Sequence, residues 1–289
     1  MRKDRVINFI LIVAMLVGMS LLLYPPFSNY WNSRRQSYAI ANYAEEVAHL
    51  DKDKYRTLWD AALAYNKSLL TRGNSYLLTP EQRAEYDSLL NLATTGVMGY
   101  VENPEIQCSL PVYHGTDEAV LQVAIGHLEW SSLPTGGEST HCVLSGHRGL
   151  PSAKLFTDLD RVEIGDLFML RILDELLTYE VDRIDIVEPH QTQTLLIEEG
   201  KDLCTLVTCT PYGINSHRLL VRGHRVENTE STQTIRVTAD AIQIEPVIVA
   251  PVVAAPILLL LMIAVMLPGK KKSNQVQGKR RKRGGARVK

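Results

Sequence analysis

The sequence predicts a mainly β domain that follows a helical region and lies between two membrane-spanning helices. Three observations support this prediction: two long uncharged runs near the ends of the chain, helical spacing of apolar residues before about residue 95, and seven short β-rich runs after it. Strands at that density, with few helical stretches between them, are typical of a closed barrel or a sandwich. The 289 residues exceed one average domain, but the two ends are not globular, so one catalytic domain is enough.

The first uncharged run covers residues 6–24 and is just long enough to cross a bilayer as a helix. Basic residues at positions 2, 3 and 5 precede it, so the positive-inside rule places residues 1–5 in the cytoplasm. A cleaved signal peptide is the alternative. The small-x-small triplet at residues 18–20 lies inside the apolar run, which favours a retained anchor.

Residues 25–95 are predicted to form a helical extension outside the membrane. Its apolar residues recur at spacings of three and four, as at Ile40, Tyr43, Ala44, Val47 and Leu50. A further helix is expected to begin at residues 79–82, where Thr79 can cap the helix and Pro80 occupies its first position. We expect the extension to join the anchor to the next domain and to carry no chemistry itself.

The β domain is predicted at residues 96–230 and is followed by a linker at 231–246. Its β-rich runs are broken by Gly, Pro and Asn, which are typical of turns. These runs cover residues 98–101, 110–113, 142–144, 167–172, 177–187, 203–209 and 219–224.

The second uncharged run covers residues 247–267 and is followed by a basic tail at 268–289. Two crossings would leave both termini in the cytoplasm and residues 25–246 outside. The first five and last twenty residues hold thirteen basic residues and one acid, so the other 264 residues hold 18 basic and 31 acidic residues. An acidic exported domain argues against nucleic acid as a partner. The tail is instead expected to contact the inner leaflet of the lipid bilayer.

Cys209 is the leading candidate for a chemically active residue. It ends the apolar β-type run 205–209, Arg218 follows nine positions later, and His147 lies upstream. A thiol with an arginine nearby and a histidine available is the set expected of a cysteine acyl-transfer enzyme.

Three motifs around these residues resemble those of the sortase family. Residues 205–209 read TLVTC and resemble the TLxTC signature, residues 145–149 read SGHRG as around the family's histidine, and residues 216–221 read SHRLLV as around its arginine. Other segments resemble class C, the pilus-assembling sortases of Gram-positive bacteria, and the resemblance covers roughly residues 95–227. These segments are GYVENP at 99–104, LPVYHGT at 110–116, GHLE at 126–129 and LPSAKLFTDL at 150–159.

The resemblance implies a closed sortase-type barrel and a cysteine transpeptidase of the cell membrane, with its catalytic domain outside. Cys209 would attack the Thr–Gly bond of an LPxTG-like sorting signal, and a lysine amine of another pilin would resolve the thioacyl enzyme. His147 would act as general acid and base, and Arg218 would stabilise the oxyanion or hold the substrate. Thr208 and Thr210 are the predicted substrate-binding residues.

Several residues compete with these candidates. His141, His217 and His224 are the alternatives to His147, and on a strand His217 would point away from the face of its neighbour Arg218. The alternatives to Arg218 are the arginines at positions 222 and 225. Neither metal-type Cys/His spacing nor a phosphate-binding glycine loop occurs, so we predict no metal and no cofactor.

Cys142 and Cys204 each lie five residues before a candidate, His147 and Cys209 respectively. If their strands are parallel neighbours, the two thiols lie side by side, either as packed free thiols or as a disulfide.

The sequence also lacks the Asp-Pro-aromatic lid of many class C sortases. The corresponding stretch, residues 74–80, keeps Tyr76, and we expect an open or weakly covered site.

Three functional hypotheses follow from the sequence. The first is a transpeptidase that polymerises pilins, and the second is a sortase that attaches proteins to peptidoglycan. The third is an idle membrane-bound scaffold for pilin assembly. A plain cysteine protease differs from the first two in its acceptor rather than in its thiol.

Overall fold

The computed structural model describes residues 2–72, 77–92 and 96–229, together with 254, 256–260 and 263. Its helices are α1 (Arg2–Ala48), α2 (Lys52–Arg72), α3 (Pro80–Ser88) and α4 (Glu118–Leu121). The strands are β1 (Val97–Asn103), β2 (Cys108–His114), β3 (Ile125–His127), β4 (Thr140–Ser145), β5 (Leu167–Ile172), β6 (Glu175–Val187), β7 (Asp202–Thr210) and β8 (His217–Val226).

The eight strands form a closed barrel in the order β1-β2-β3-β4-β7-β8-β6-β5. Two neighbouring pairs are parallel, β2 with β3 and β4 with β7, and the others are antiparallel. Pairing of β1 with β5 closes the sheet and so removes its free edges. The barrel is confirmed, and the sandwich that the strand pattern also allowed is wrong.

All seven predicted β-rich runs are strands, and the sequence pattern missed only β3 among the eight. β3 has three residues, which is too short for an alternating pattern to be visible. Its central Gly126 is required by packing, because a Cβ there would lie 2.3 Å from the carbonyl oxygen of Gly115.

Helix α1 includes the first predicted span and continues without a break to Ala48, with Pro25 and Pro26 inside it. Within the described residues it is the one helix long and apolar enough to cross a membrane. The second predicted span, 247–267, lies mostly outside the described residues, although 254, 256–260 and 263 are helical. The predicted linker at 231–246 and the basic tail also lie outside them.

The helical extension is part of the folded domain rather than an appendage. The Tyr43 hydroxyl of α1 donates to the carbonyl oxygen of Met98 at 2.7 Å and accepts from the N–H of Leu173 at 2.7 Å. In α3 the Tyr86 hydroxyl accepts from the N–H of Gly115 at 3.0 Å. Helix α3 begins at the predicted Thr79 cap, with a complete capping box.

Asn66 of α2 makes the most specific contact between the extension and the barrel. Its side chain accepts from the N–H of Leu133 at 2.7 Å and donates to the Leu133 carbonyl at 3.0 Å and the Thr135 hydroxyl at 2.8 Å. These groups are buried, with Asn66 only 3% exposed. The residue therefore supplies hydrogen bonds that water cannot replace.

Substituting Asn66→Ala should lower the free energy of unfolding by about 2–4 kcal/mol, because it leaves buried polar groups at Leu133 without partners. Chemical denaturation of the full chain would measure the change. Lys67→Ala, at an exposed position on the same helix, is the matched control and should change stability by less than about 0.5 kcal/mol. Equal effects from the two substitutions would contradict an integrated extension.

Candidate active site

The pairing of β4, β7 and β8 brings the three candidate residues into one row. In the parallel β4–β7 pair Ser145 lies opposite Val207, and the same offset places His147 level with Cys209. In the antiparallel β7–β8 pair Cys209 lies directly opposite Arg218. The pairing thus brings Cys209, Arg218 nine positions later and the distant His147 to one end of the barrel.

Alternation along the strands places Cys209 and Arg218 on the outer face of the barrel. On β7 the side chains of Cys204 and Leu206 lie in the main core. Val207 of the same strand packs in a second small cluster with Val143, Leu195 and Leu220. Because side chains alternate, Cys209 shares the face of Val207. Cys209 is half-buried there, which is suitable for a thiol that must meet a polymeric substrate.

The segment that carries His147 is held by backbone hydrogen bonds on both sides. The N–H of Gly146 donates to Val207 O at 3.0 Å, and the N–H of Phe156 donates to His147 O at 3.1 Å. Gly146 is needed because a Cβ there would lie 2.5 Å from Ile125 Cδ1. His147 Nε2 lies 3.8 Å from a Glu118 carboxylate oxygen and makes no hydrogen bond within the described part of the chain.

Thr208 and Thr210 are both buried, at 2% and 8% exposure. The Thr208 hydroxyl donates to the carbonyl oxygen of Gly146 at 2.7 Å, so it ties β7 to the residue before His147. Thr210 lies opposite His217 in the β7–β8 pair. Substrate contact by either threonine stays a prediction. The hydrogen bond from Thr208 to Gly146 was not evident from the sequence.

Arg218 is anchored by the turn that precedes β8. Its Nη1 donates to Asn215 O at 3.3 Å and to His217 O at 3.1 Å. A guanidinium has five N–H donors in a planar fork, so Nε and Nη2 can still serve a ligand beside Cys209. The position and the chemistry both fit an oxyanion or substrate-backbone donor.

The competing histidine, His141, lies deep in the structure and has structural partners. It is fully buried, and its two ring nitrogens are within 2.9 Å of Leu196 O and 2.7 Å of the Thr205 hydroxyl. It is also six residues before His147, which is about 20 Å along a strand. Alternation places His217 on the face of Leu219, opposite to that of Arg218, and its Nδ1 lies 2.9 Å from the Ser216 hydroxyl. His224 lies opposite Leu203 at the far end of β7.

The competing arginines are held in ion pairs and backbone contacts away from Cys209. Arg222 donates to both Asp182 carboxylate oxygens at 2.9 Å and to Glu198 at 2.8 Å. Arg225 contacts the carbonyl oxygens of Leu176, Thr178 and Val226. Arg218 is therefore the one of the three that is directed to the candidate site.

Cys142 and Cys204 are directly opposite each other in the β4–β7 pair and face the main core, so the predicted side-by-side arrangement is confirmed. Both are free thiols, which favours packing over the disulfide. Burial raises the pKa of Cys204 well above its ordinary value, and burial raises the pKa of Cys108 to about 12. Cys108 and Cys204 are therefore poor nucleophiles.

A cavity of about 430 Å³ lies on the same outer face as the small cluster of Val143 and Val207. One wall comes from the end of α2 and from Leu77 and Leu78, and the other from the segment 195–197 before β7.

Tyr76, in the stretch compared with a lid, is outside the described residues. The following Leu77 is 84% exposed. The expectation of an open or weakly covered site therefore stays a prediction.

The Sortase domain family model matches residues 101–226. Among solved structures, sortase C1 of Streptococcus agalactiae is 53% identical, with 66% of this chain and 100% of that chain covered and a TM-score of 0.65. The chain belongs to the sortase family. Sortase C of Streptococcus pneumoniae is 44% identical over 66% of this chain and 97% of that chain, with a TM-score of 0.60. Sortase D of Bacillus subtilis is 29% identical over 59% of this chain and 83% of its own length.

The solved relatives place the chain among the class C sortases, and sortases are cysteine transpeptidases. The resemblance inferred from the motifs is therefore confirmed at the level of family and class. The fold agrees, because the eight-stranded closed barrel is the one that sortases share.

Thr208→Val should lower kcat of this sortase and leave KM nearly unchanged, because it removes the bond that holds the His147 segment. Loss of one such hydrogen bond should also lower stability by about 1 kcal/mol. Thr208→Ser keeps the hydroxyl and is the matched control. A rise in KM with unchanged kcat would instead indicate that Thr208 contacts substrate.

The sortase domain should lose stability as the pH falls below about 6.5. Burial lowers the pKa of His141, and burial likewise lowers the pKa of His114, so the folded state favours the neutral rings while the unfolded chain takes up protons. Urea midpoints at about pH 7.5 and about pH 5.5 would measure the loss. His141→Gln should reduce the difference between the two midpoints, and an unreduced difference would contradict this origin.

Proposed function

We propose that this class C sortase polymerises pilin subunits by cysteine-based transpeptidation. The observation that carries the proposal is the row of His147, Cys209 and Arg218, set by the register of three strands. The row stands at the end of an apolar strip formed by Val143 and Val207 on the outer face. A nucleophile, a proton-transfer group and a planar cation on one face are the parts that acyl transfer requires.

In the first half-reaction the Cys209 sulfur attacks the threonine carbonyl of an LPxTG-like signal. The C–S bond forms, the Thr–Gly C–N bond breaks, and His147 gives a proton to the leaving glycine amine. Arg218 donates hydrogen bonds to the oxyanion that develops on the carbonyl oxygen. Such a donor is worth about 2.7–4 kcal/mol in related acyl transfers.

In the second half-reaction a lysine amine of another pilin attacks the thioester. An amide bond forms, the C–S bond breaks, and His147 takes the proton from the attacking amine. The enzyme then returns to its starting state. Water in place of lysine would give hydrolysis, and a cell-wall amine would give attachment to peptidoglycan.

The outer face offers an apolar surface for the sorting signal. Val143, Leu195, Val207 and Leu220 form a small cluster there, flanked by Leu128, Trp130 and Val187. Apolar side chains of the signal, such as its leucine and proline, can be buried on such a surface while the scissile bond meets Cys209. The same surface is compatible with wall attachment, which remains the second candidate because the acceptor alone separates the two.

We further propose a two-pass arrangement in the cell membrane, with both termini cytoplasmic and the barrel outside. Helix α1 has the length and composition of a membrane anchor. Residues 247–267 and the basic tail supply the second span and its cytoplasmic flank by sequence. An idle scaffold is a weaker hypothesis, because a scaffold has no need for the aligned set of Cys209, His147 and Arg218.

The full chain in detergent, incubated with an LPxTG-type pilin, should form a thioacyl adduct visible by intact mass and a covalent ladder on a denaturing gel. Cys209→Ala should abolish both products. Arg218→Ala should slow adduct formation by about 10²–10³-fold. Cys108→Ala, at a buried thiol outside the row, is the matched control and should leave both products in place.

An adduct without a ladder would favour wall attachment over polymerisation, and a cell-wall amine could then be supplied to test it. No adduct, together with ready thiol labelling of Cys209, would favour the idle scaffold. No adduct together with slow labelling would indicate a covered site.

A further inference from the structure

The extracellular part of α1 is hydrogen-bonded to the segment that follows His147. The Asn29 side chain accepts from the N–H of Lys154 at 2.9 Å, and the Asn32 side chain donates to Ser152 O at 2.8 Å. About one turn after Asn32, the Gln36 side chain donates to Val123 O at 2.7 Å. The barrel is thus attached to α1 at defined heights along the helix.

These heights can be compared with the bilayer, because α1 is one helix from Arg2 to Ala48. The apolar run at 6–24 matches the hydrocarbon core, about 30 Å at a rise of about 1.5 Å per residue. Asn29 and Asn32 then lie about 8 and 12 Å beyond the end of that run. The headgroup layer of one leaflet extends about 5–8 Å beyond the hydrocarbon. Both asparagines therefore lie in or directly above the headgroups.

Side chains of α1 support this placement of the bilayer surface. Four aromatic residues are exposed at the end of the apolar run or just beyond it, as in the aromatic belts of membrane proteins: Tyr24, Phe27, Tyr30 and Trp31. After Arg5, the next charged residues of the helix are Arg34 and Arg35. The aromatic and charged residues of α1 thus place the membrane–water interface at the level where the barrel is attached.

We propose that the segment 148–154 rests on the headgroup layer of the outer leaflet, so that the catalytic row opens toward the lipid. The surface that meets this enzyme's active end is then a lipid bilayer. A sorting signal would be taken while its precursor is still anchored in the membrane. This inference rests on the proposed function, from which it takes two assumptions: that α1 is a membrane anchor and that the substrate carries a sorting signal.

The neighbouring β7–β8 loop presents apolar side chains on the same rim. Tyr212 packs on Gly149, where an added Cβ would lie 2.9 Å from its ring, and Tyr212 is nonetheless 61% exposed. Ile214, two residues later, is 72% exposed. Large exposed apolar side chains beside a membrane surface can be covered by the interfacial layer.

Charge is not expected to drive the contact. On this rim Arg148 is paired with Asp160, and Lys154 with Asp158 at 2.8 Å. The basic groups are therefore neutralised locally rather than offered to anionic lipid. The contact should form equally on zwitterionic and anionic vesicles, since α1 sets the distance between the rim and the bilayer surface.

The depth of this segment can be measured in the full chain reconstituted into phosphatidylcholine vesicles. Cys209→Ala removes the reactive thiol, and a bimane fluorophore is attached through Pro151→Cys, at an exposed position of the segment. Glu199→Cys is the matched control, because it precedes β7 at the end of the barrel opposite Cys209, and β7 alone spans about 23 Å from Asp202 to Cys209. Lipids with a nitroxide at the headgroup should quench bimane at 151 and leave bimane at 199 unquenched. Equal quenching at the two positions, or none at either, would overturn the proposal.

A second variant tests the attachment through α1 and guards against a labelling artefact. Asn29→Ala with Asn32→Ala should weaken the quenching at 151 while the fold, followed by near-UV circular dichroism, is unchanged. With Cys209 intact, the double variant should cleave a soluble LPxTG peptide at the original rate. It should cleave a membrane-anchored LPxTG substrate in the same vesicles more slowly. Equal rates of the variant and the original chain on the anchored substrate would contradict the proposal.

The two proposals fail in different ways. If the original chain does not turn over the soluble peptide, the proposed function fails whatever the depth measurement gives. If it turns over the peptide but bimane at 151 is not quenched, the function stands and the membrane contact does not.

Discussion

The parallel pairing of β4 with β7 is the constraint on which the site depends. It sets an offset at which Ser145 meets Val207, and this offset brings His147 level with Cys209. A slip of one residue would turn every side chain of one strand to the other face and separate the two. The core keeps the register, because Cys142, Leu144, Cys204 and Leu206 all face inward and are buried. The geometry of the candidate site is thus stabilised mainly by apolar residues outside it.

The helical extension contributes to the same stability through a few buried polar contacts. Tyr43, Asn66 and Tyr86 each place a hydrogen-bonding group against barrel backbone that has no access to water. Leaving such groups without partners costs more than the bonds themselves contribute. Removing the extension would therefore expose apolar surface and also leave these backbone groups unsatisfied. The described parts of the extension and the barrel thus share one core.

In the proposed arrangement, the continuity of α1 connects the candidate catalytic row to the bilayer. The same helix has the composition of a membrane span at its start and hydrogen-bonds the segment after His147 a few turns later. Because a helix rises by a constant amount per residue, sequence distance along α1 converts into height above the membrane. If the substrate also carries a membrane anchor, the height of the candidate site above the membrane would need to match the height of the sorting signal. In the proposed arrangement α1 would act as a spacer as well as an anchor.

The sequence by itself determined the local features of this protein, since each is written in neighbouring residues: seven strands, the Thr79 cap, the apolar run of α1 and the motifs around Cys209, His147 and Arg218. Only the tertiary structure decided what depends on pairing between distant segments. It closed the barrel through β1 and β5, added the three-residue β3, and showed that His141 and Arg222 have structural partners. It also directed the Thr208 hydroxyl to Gly146 and built the extension into the core. Local periodicity reports which face of an element is apolar, but the partner of that face is set by packing across the whole chain.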